Sequence, residues 1–366
     1  PMPLRHQIMA TETGTLSATP TSEEMRHRFG QMQQTFDAAG KAYGLHEFDF
    51  ELAGRVFRLR FAGLGMIDQV WPALSHLAVS APGSARADLT VMIWDHASTG
   101  VELPATVSSP VSNTPTVRPI YYTSELVLFD ELGSAVSFLD NRRSVAIYCT
   151  EDAEALPAWD RASPLRHIIN WWMQTQELQV IHSAAVGREE GVVLLAGKGG
   201  SGKSTTALAC LREGLAYLGD DYVVLRAASP RAYALYGSAK LEALHFAQHA
   251  WLLPGAAPVV PEDEKVLGFV DGAYLKQLAG GLPIVAVVLP QVIGHGETCF
   301  RTTSPAHALF ALAPSTLLQL RSGAPTTLEA LTSLVLQVPS FVLELGEDVG
   351  ASPAVVLSLL DQLGVA

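Results

Sequence analysis

Val192-Val193-Leu194-Leu195-Ala196-Gly197-Lys198-Gly199-Gly200-Ser201-Gly202-Lys203-Ser204-Thr205 decides how the rest of this chain is read. The apolar run Val192–Ala196 predicts a buried strand. Gly197 to Ser204 then satisfies G-x-x-x-x-G-K-[ST] at every specified position, with a helix predicted over Ser204–Arg212. The spacing has a physical meaning. Gly197, Gly199, Gly200 and Gly202 let consecutive backbone N–H groups converge on phosphate oxygens, and the helix that follows adds the positive end of its dipole. Lys203 is placed to reach the β- and γ-phosphates and Ser204 to ligate Mg²⁺, while Lys198, Ser201 and Thr205 complete the predicted nucleotide site. The pattern predicts an α/β fold that binds ATP with Mg²⁺.

Loops of this kind serve motors, switches, transporters and kinases, and the second acidic element discriminates among them. Asp220 and Asp221 come seventeen and eighteen residues after Lys203, behind one helix and Gly219, at the head of the strand-like run Tyr222–Leu225. One of the pair is expected to hold the Mg²⁺ at Ser204, and the other to accept a proton from an attacking hydroxyl. Gly-Asp-Asp is also good turn chemistry, so a solvated turn is the competing reading. His182, flanked by Val180, Ile181 and Val186, reads by itself as a core histidine on a strand running from Val180 to Val186.

His182, the glycine-rich loop, the short helix ending at Arg212-Glu213-Gly214 and then Asp220-Asp221 together resemble the catalytic domain of HPr kinase/phosphorylase. That family has a P-loop fold similar to the nucleotide domain of phosphoenolpyruvate carboxykinase. Its members phosphorylate a serine on a carrier protein, and its relatives tailor lasso peptide precursors. The resemblance spans about residues 178–345 and is densest at 181–225. It implies that Lys203 and Ser204 contact phosphate and Mg²⁺, that Asp220 and Asp221 are the base and metal pair, and that His182 stands beside them as a catalytic residue. Segments such as Tyr236-Gly237-Ser238-Ala239-Lys240-Leu241, Pro314-Ser315-Thr316-Leu317 and Pro339 to Gly346 are similar to those of the tailoring relatives. They imply a peptide or small-protein acceptor with an exposed serine. The metal-binding glutamate motif and glycine-rich signature of the bifunctional members have no clear counterpart. Glu242, Glu262 and Glu264 are nearest by position, so reverse phosphorolysis is not expected. Lys240, Lys265 and Arg301 are the candidate cations for the transferring phosphoryl group.

Outward from this centre, the chain is long enough, at 366 residues, for two units. Residues 1–45 are expected to form a flexible arm and an amphipathic helix, the helix opening at a T-x-x-E box (Thr21, Glu24) and carrying Met25, Phe29, Met32 and Phe36 on one face. Residues 46–150 are expected to form a smaller, mainly β unit, beginning with a hairpin over Phe48–Phe61 that turns near Ala53-Gly54. A helix is expected over Met66–Leu77, strands over 87–94, 125–129, 135–139 and 145–149, and an exposed loop over Ser98–Pro119. Ser163-Pro164 is expected to start the first helix of the kinase unit, residues 160–366, with further strands at Val192–Ala196, Tyr222–Leu225 and Ile284–Leu289.

Composition narrows the function classes. The net charge of -12 argues against general affinity for nucleic acid or anionic lipid, so any phosphate site must be local. The longest stretches without charge are broken by prolines such as Pro254, Pro283, Pro290 and Pro314, so no membrane span is expected. Cys149, Cys210 and Cys299 lie far apart without metal-ligand spacing, which fits a reducing cytoplasm. A homo-oligomer is compatible with the sequence.

Three rival readings share the loop. A small-molecule kinase would use the same catalytic residues. A nucleotide-sensing module would bind without a competent base. The run Lys198 to Thr205 also resembles the deviant P-loop of partitioning ATPases, in which the first lysine reaches a partner's nucleotide. That family places the loop at the start of its domain, whereas 196 residues precede it here.

Overall fold

Thr21 and Glu24 begin the fold as their spacing predicts. Glu24 N–H donates to Thr21 Oγ1 at 3.2 Å, and Thr21 N–H donates to the Glu24 carboxylate at 2.6 Å. The computed structural model describes residues 20–80, 83, 86–102, 121–123, 125–131, 135–242, 265–270, 281–320 and 324–365. The expected arm therefore lies outside the described residues, as does most of the expected Ser98–Pro119 loop.

The capped helix, α1 (Ser22–Tyr43), lays Met25, Phe29, Met32 and Phe36 on a seven-stranded sheet. Its strands are β1 (Leu45–Leu52), β2 (Arg55–Ala62), β3 (Leu89–Asp95), β4 (Tyr121–Tyr122), β5 (Leu126–Glu131), β6 (Ala135–Asp140) and β7 (Val145–Thr150), in the order β1-β2-β3-β7-β6-β5-β4. Phe29 meets Phe138 edge-on at 5.0 Å and Phe36 meets Trp94 at 5.9 Å. Each such aromatic contributes ~1.5–3 kcal/mol by burial, so Phe29→Ala would loosen α1 first. The hairpin β1–β2 is antiparallel as expected, whereas β3 runs parallel to both β2 and β7, which is why its sequence is apolar almost throughout.

Three local expectations are corrected. Met66–Leu77 is not one helix: α2 (Ile67–Val70) gives way to single 3₁₀ turns at Trp71–Ala73 and Ser75–Leu77, because Pro72 lacks the N–H a continuing helix needs. After the short α3 (His96–Thr99) and the strands that follow, Ser163 does not cap the start of a helix. It closes α4 (Ala158–Ala162), its Oγ donating to Trp159 O, and α5 (Arg166–Gln174) starts only after Leu165 at φ +59°. Val180–Val186 is two strands, β8 (Gln179–His182) and β9 (Ala184–Arg188), divided at Ser183. The Ser183 hydroxyl hydrogen-bonds to Ala184 O and Leu195 O, and the flanking residues pair with different neighbours.

The second sheet adds β10 (Gly191–Leu195), β11 (Ala216–Gly219), β12 (Tyr222–Arg226), β13 (Arg231–Ala234), β16 (Leu282–Val292), β17 (Cys299–Thr303) and β18 (Ser340–Leu345) to β8 and β9. A separate pair, β14 (Ser238–Glu242) and β15 (Lys265–Phe269), precedes β16. From β10 the chain passes through α6 (Lys203–Arg212) to β11, with β9 lying antiparallel between the two. The long β16 runs parallel to β10 and β18, while its first residues pair antiparallel with β13. Helices α7 (Pro305–Leu320), α8 (Ala324–Gln337) and α9 (Ser352–Gln362) complete this part. Pro314 sits inside α7 without ending it, contrary to its expected role as a breaker.

The fold is thus mixed α/β with open sheets. One hydrophobic cluster joins the two sheets through α5: Trp172 packs edge-on against Phe57 at 5.2 Å, and the same cluster reaches Val180, Tyr222 and Tyr236. Among the described residues no helix is long and apolar enough to cross a membrane. Cys149, Cys210 and Cys299 are free thiols.

Candidate functional site

The glycine-rich loop leaves the end of β10, and its backbone explains its glycines. Gly202 stands at φ +103° directly before α6, and a Cβ there would lie 2.4 Å from Leu345 Cδ1. Gly200 also has positive φ, at +76°, and a Cβ on Gly199 or Gly200 would meet nothing within 4 Å, so that rim of the loop is open. Lys203 Nζ donates to Gly197 O at 2.7 Å and Lys198 O at 3.2 Å, which holds its ammonium over the loop. Lys198 itself is exposed on the outside. Ser201 Oγ is buried and has no hydrogen-bond partner among the described residues. Ser204 and Thr205, on the first turn of α6, are half-buried.

The acidic pair lies where the chain crosses from one part of the sheet to another. Gly219 ends β11, paired with β9, and Tyr222 begins β12, paired with β8, so Asp220 and Asp221 span the gap. The register sets Tyr222 opposite His182, which brings that histidine to Asp221 across 39 residues of sequence. His182 Nε2 donates to Asp221 Oδ1 at 2.7 Å, the tautomer a carboxylate selects. From β14, Lys240 Nζ approaches Asp221 Oδ2 at 2.6 Å, and its backbone N–H donates to Asp220 Oδ2 at 3.3 Å.

The two carboxylates differ in environment. Asp220 is buried, and burial together with the neighbouring Asp221 charge pushes its pKa up to about 7 against the opposing pull of Lys240 and the Ser204 hydroxyl. Asp221 is 21 % exposed. Burial raises its pKa too, but Lys240 and His182 outweigh that and hold it well below the usual carboxylate range. His182 is fixed from behind: its backbone N–H donates to Thr316 Oγ1 of α7 at 3.1 Å, and its ring meets Tyr222 at 5.4 Å. Tyr222 in turn donates to Gln319 Oε1 at 2.6 Å. His182 Nδ1 is buried without a partner among the described residues.

The site residues expected from the sequence therefore fall into two contiguous groups, the loop Gly197–Thr205 and the cluster of His182, Asp220 and Asp221, which approach each other where the Ser204 hydroxyl lies near enough to Asp220 to lower its pKa. Of the candidate cations, Lys240 joins the cluster. Arg301 is instead bound to Glu344 at 2.7 Å, and Lys265 lies on β15 opposite Glu242. Glu262 and Glu264 lie outside the described residues. Sequence reasoning missed Thr316 and Gln319, which only the packing of α7 against β8 and β12 brings to the site, and it missed that Lys240 touches both aspartates.

The donor set suits a small hard cation. Ser204 and the buried Asp220 offer adjacent oxygen ligands, and the raised pKa of Asp220 marks a carboxylate whose charge the protein compensates only in part. Among the described residues no group of three or more His, Cys, Asp or Glu side chains forms a metal cage. Mg²⁺ takes few protein ligands beside phosphate, so a cage is not required. No family model matches the chain, and no curated protein matches it.

Proposed function

We propose that this chain is an ATP-dependent kinase of the P-loop type, transferring the γ-phosphoryl group to a serine hydroxyl of a peptide or small protein. The observation that carries the reading is the division of labour within Asp220-Asp221. Asp220 is buried against Ser204, and Asp221 is partly open and gripped by His182 and Lys240. The resemblance to HPr kinase/phosphorylase supports the same assignment.

In this reading the loop amides and Lys203 bind the phosphates, and Ser204 and Asp220 are the residues that would hold Mg²⁺. When bound, the metal neutralises charge on the β- and γ-phosphate oxygens. Asp221 keeps acceptor lone pairs beyond those used by His182 and Lys240, since a carboxylate offers about four. It orients the attacking Oγ–H and takes its proton as the new P–O bond forms and the bond to the β-phosphate oxygen breaks, releasing ADP. The depressed pKa keeps Asp221 ionised but makes it a weak base; a weak base suffices here, because in a loose transition state the proton leaves late, from an oxygen already made acidic by phosphorylation. His182 fixes the carboxylate's angle, and Lys240 supplies positive charge beside it.

In-line attack needs the acceptor hydroxyl within hydrogen-bond reach of Asp221, so the serine is expected on a flexible tail or exposed loop. Phosphotransfer from MgATP to a panel of serine-containing peptides, set against hydroxylated metabolites, tests the reading. The expected product is a phosphoserine ester stable to mild acid and to hydroxylamine. Label lost under either treatment, or found only on a free metabolite, defeats the peptide-serine assignment while leaving nucleotide binding intact.

A further inference from the structure

Three consecutive residues just ahead of Lys240 are tied to the N-terminal β unit and to the connector between the two sheets. Tyr236 Oη donates to Pro164 O at 2.8 Å, Gly237 N–H donates to Ala73 O at 2.8 Å, and Ser238 Oγ donates to Ala162 O. Ala73 ends a 3₁₀ turn of the N-terminal β unit, and Ala162 and Pro164 belong to the connector between the two sheets. All three acceptors are main-chain carbonyls, one in the N-terminal β unit and two in the connector. Tyr236 and Ser238 are 3 % and 4 % exposed, so these bonds are sheltered from competing water. The connector is itself braced where it receives Ser238: Asp160 and Arg166, on either side of Ala162, form a buried ion pair at 2.6 Å.

Two residues beyond Ser238, Lys240 contacts Asp220 through its N–H and Asp221 through its ammonium. Positions i and i+2 of a strand share a face and lie only ~7 Å apart. In this case the strand is also held against β15 over five register pairs. A shift of Ser238 is therefore carried to Lys240 with little room to dissipate. The glycine-rich loop itself is built on β10 and α6.

We propose that Ser238 is a positioning residue for phosphoryl transfer: by docking on Ala162 O it sets where Lys240 holds the aspartate pair, so that the connector between the two sheets acts on the transfer step through β14. The proposal rests on the kinase reading above. It differs from a plain packing role in its consequence, because it ties a hydroxyl outside the catalytic cluster to the placement of one lysine and to turnover.

The test uses the full chain with Ser238→Ala, and with Ser238→Thr, which restores a hydroxyl. Lysine reactivity towards reductive methylation, mapped by mass spectrometry, reads the clamp without requiring any activity. Labelling of Lys240 relative to the exposed Lys41 is expected to rise about three- to tenfold in Ser238→Ala, the range for one neutral hydrogen bond lost, and to return to the wild-type level in Ser238→Thr. The kcat of slow MgATP hydrolysis is expected to fall by a similar factor, with a smaller change in KM for MgATP because Lys203 and the loop amides are untouched. Tyr236→Phe keeps the ring packing and removes only the donor to Pro164 O. It is expected to act in the same direction and serves if Ser238→Ala does not fold. Wild-type labelling of Lys240 in these variants overturns the proposal, as does increased labelling with kcat unaltered. A wild-type chain that binds no fluorescent ATP analogue in Mg²⁺ overturns the kinase reading instead, and the labelling result distinguishes the two failures.

Discussion

Replacing Asp221 by Asn keeps the shape of the side chain and removes its charge, which separates the contacts this residue makes from the catalytic role proposed for it. Its Oδ1 accepts from His182 Nε2 at 2.7 Å and its Oδ2 from Lys240 Nζ at 2.6 Å. An asparagine has one acceptor oxygen and one NH₂ group, so one of those nitrogens would face another donor. Loss of one hydrogen bond to a charged group is ~1.5–3 kcal/mol. Lys240 and Asp221 are each 21 % exposed, so water screens part of the interaction and the lower end applies, ~1.5–2 kcal/mol. In urea unfolding this appears as a lower midpoint with an unchanged m-value. Turnover with MgATP and a serine peptide is expected to fall about 10²-fold or more, the range for removal of a general base. MgATP affinity should change little, because the loop and Lys203 are untouched. If turnover stays near wild type with every acceptor tried, Asp221 is not the base. If the urea midpoint is also unmoved, the contacts to His182 and Lys240 carry no energy and the acidic pair is a turn.

Lys203→Ala is expected to remove most MgATP affinity in calorimetry, because a cation and donor at the phosphates is lost; unchanged affinity would remove the nucleotide-site assignment. Lys198→Ala should have little effect, since Lys198 is exposed outside the loop. Nucleotide-dependent dimers in sedimentation that vanish in that variant would instead favour the partitioning ATPase. In the N-terminal sheet, Arg58 bonds both oxygens of Asp49 at 2.9 and 2.8 Å, and together with the Gly83 N–H it outweighs burial and holds the Asp49 pKa below its usual value. A depressed folded-state pKa contributes stability above the unfolded value, ~4, that is lost as pH falls through the folded value. Asp49→Asn should therefore lower stability by ~1.5–3 kcal/mol at pH 7. The gap to wild type should close at progressively more acidic pH below ~4, and a gap independent of pH would show that the charge is not what stabilises.

The sequence by itself determined the local chemistry of this protein. A full loop motif between a five-residue apolar run and a helix, a capping box at Thr21, and a hairpin around Ala53-Gly54 are each written within a dozen or so neighbouring residues, where backbone sterics and hydrogen-bond spacing leave few alternatives. Short-range reading failed where a residue had two partners to choose from. Ser163 was as good a helix start as a helix end, and the apolar run from Val180 to Val186 carries no mark of the break at Ser183, which comes from pairing with β10 and β12. What only the tertiary structure decided is which members of the acidic pair and its surroundings meet. Asp220 and Asp221 are neighbours with identical side chains, and nothing local distinguishes them. One is buried against Ser204 and the other is held by His182 and Lys240, because the chain changes sheet neighbours between them. Strand register and the docking of β14 against a distant connector set those contacts, and neither is a property of residues close together in the chain.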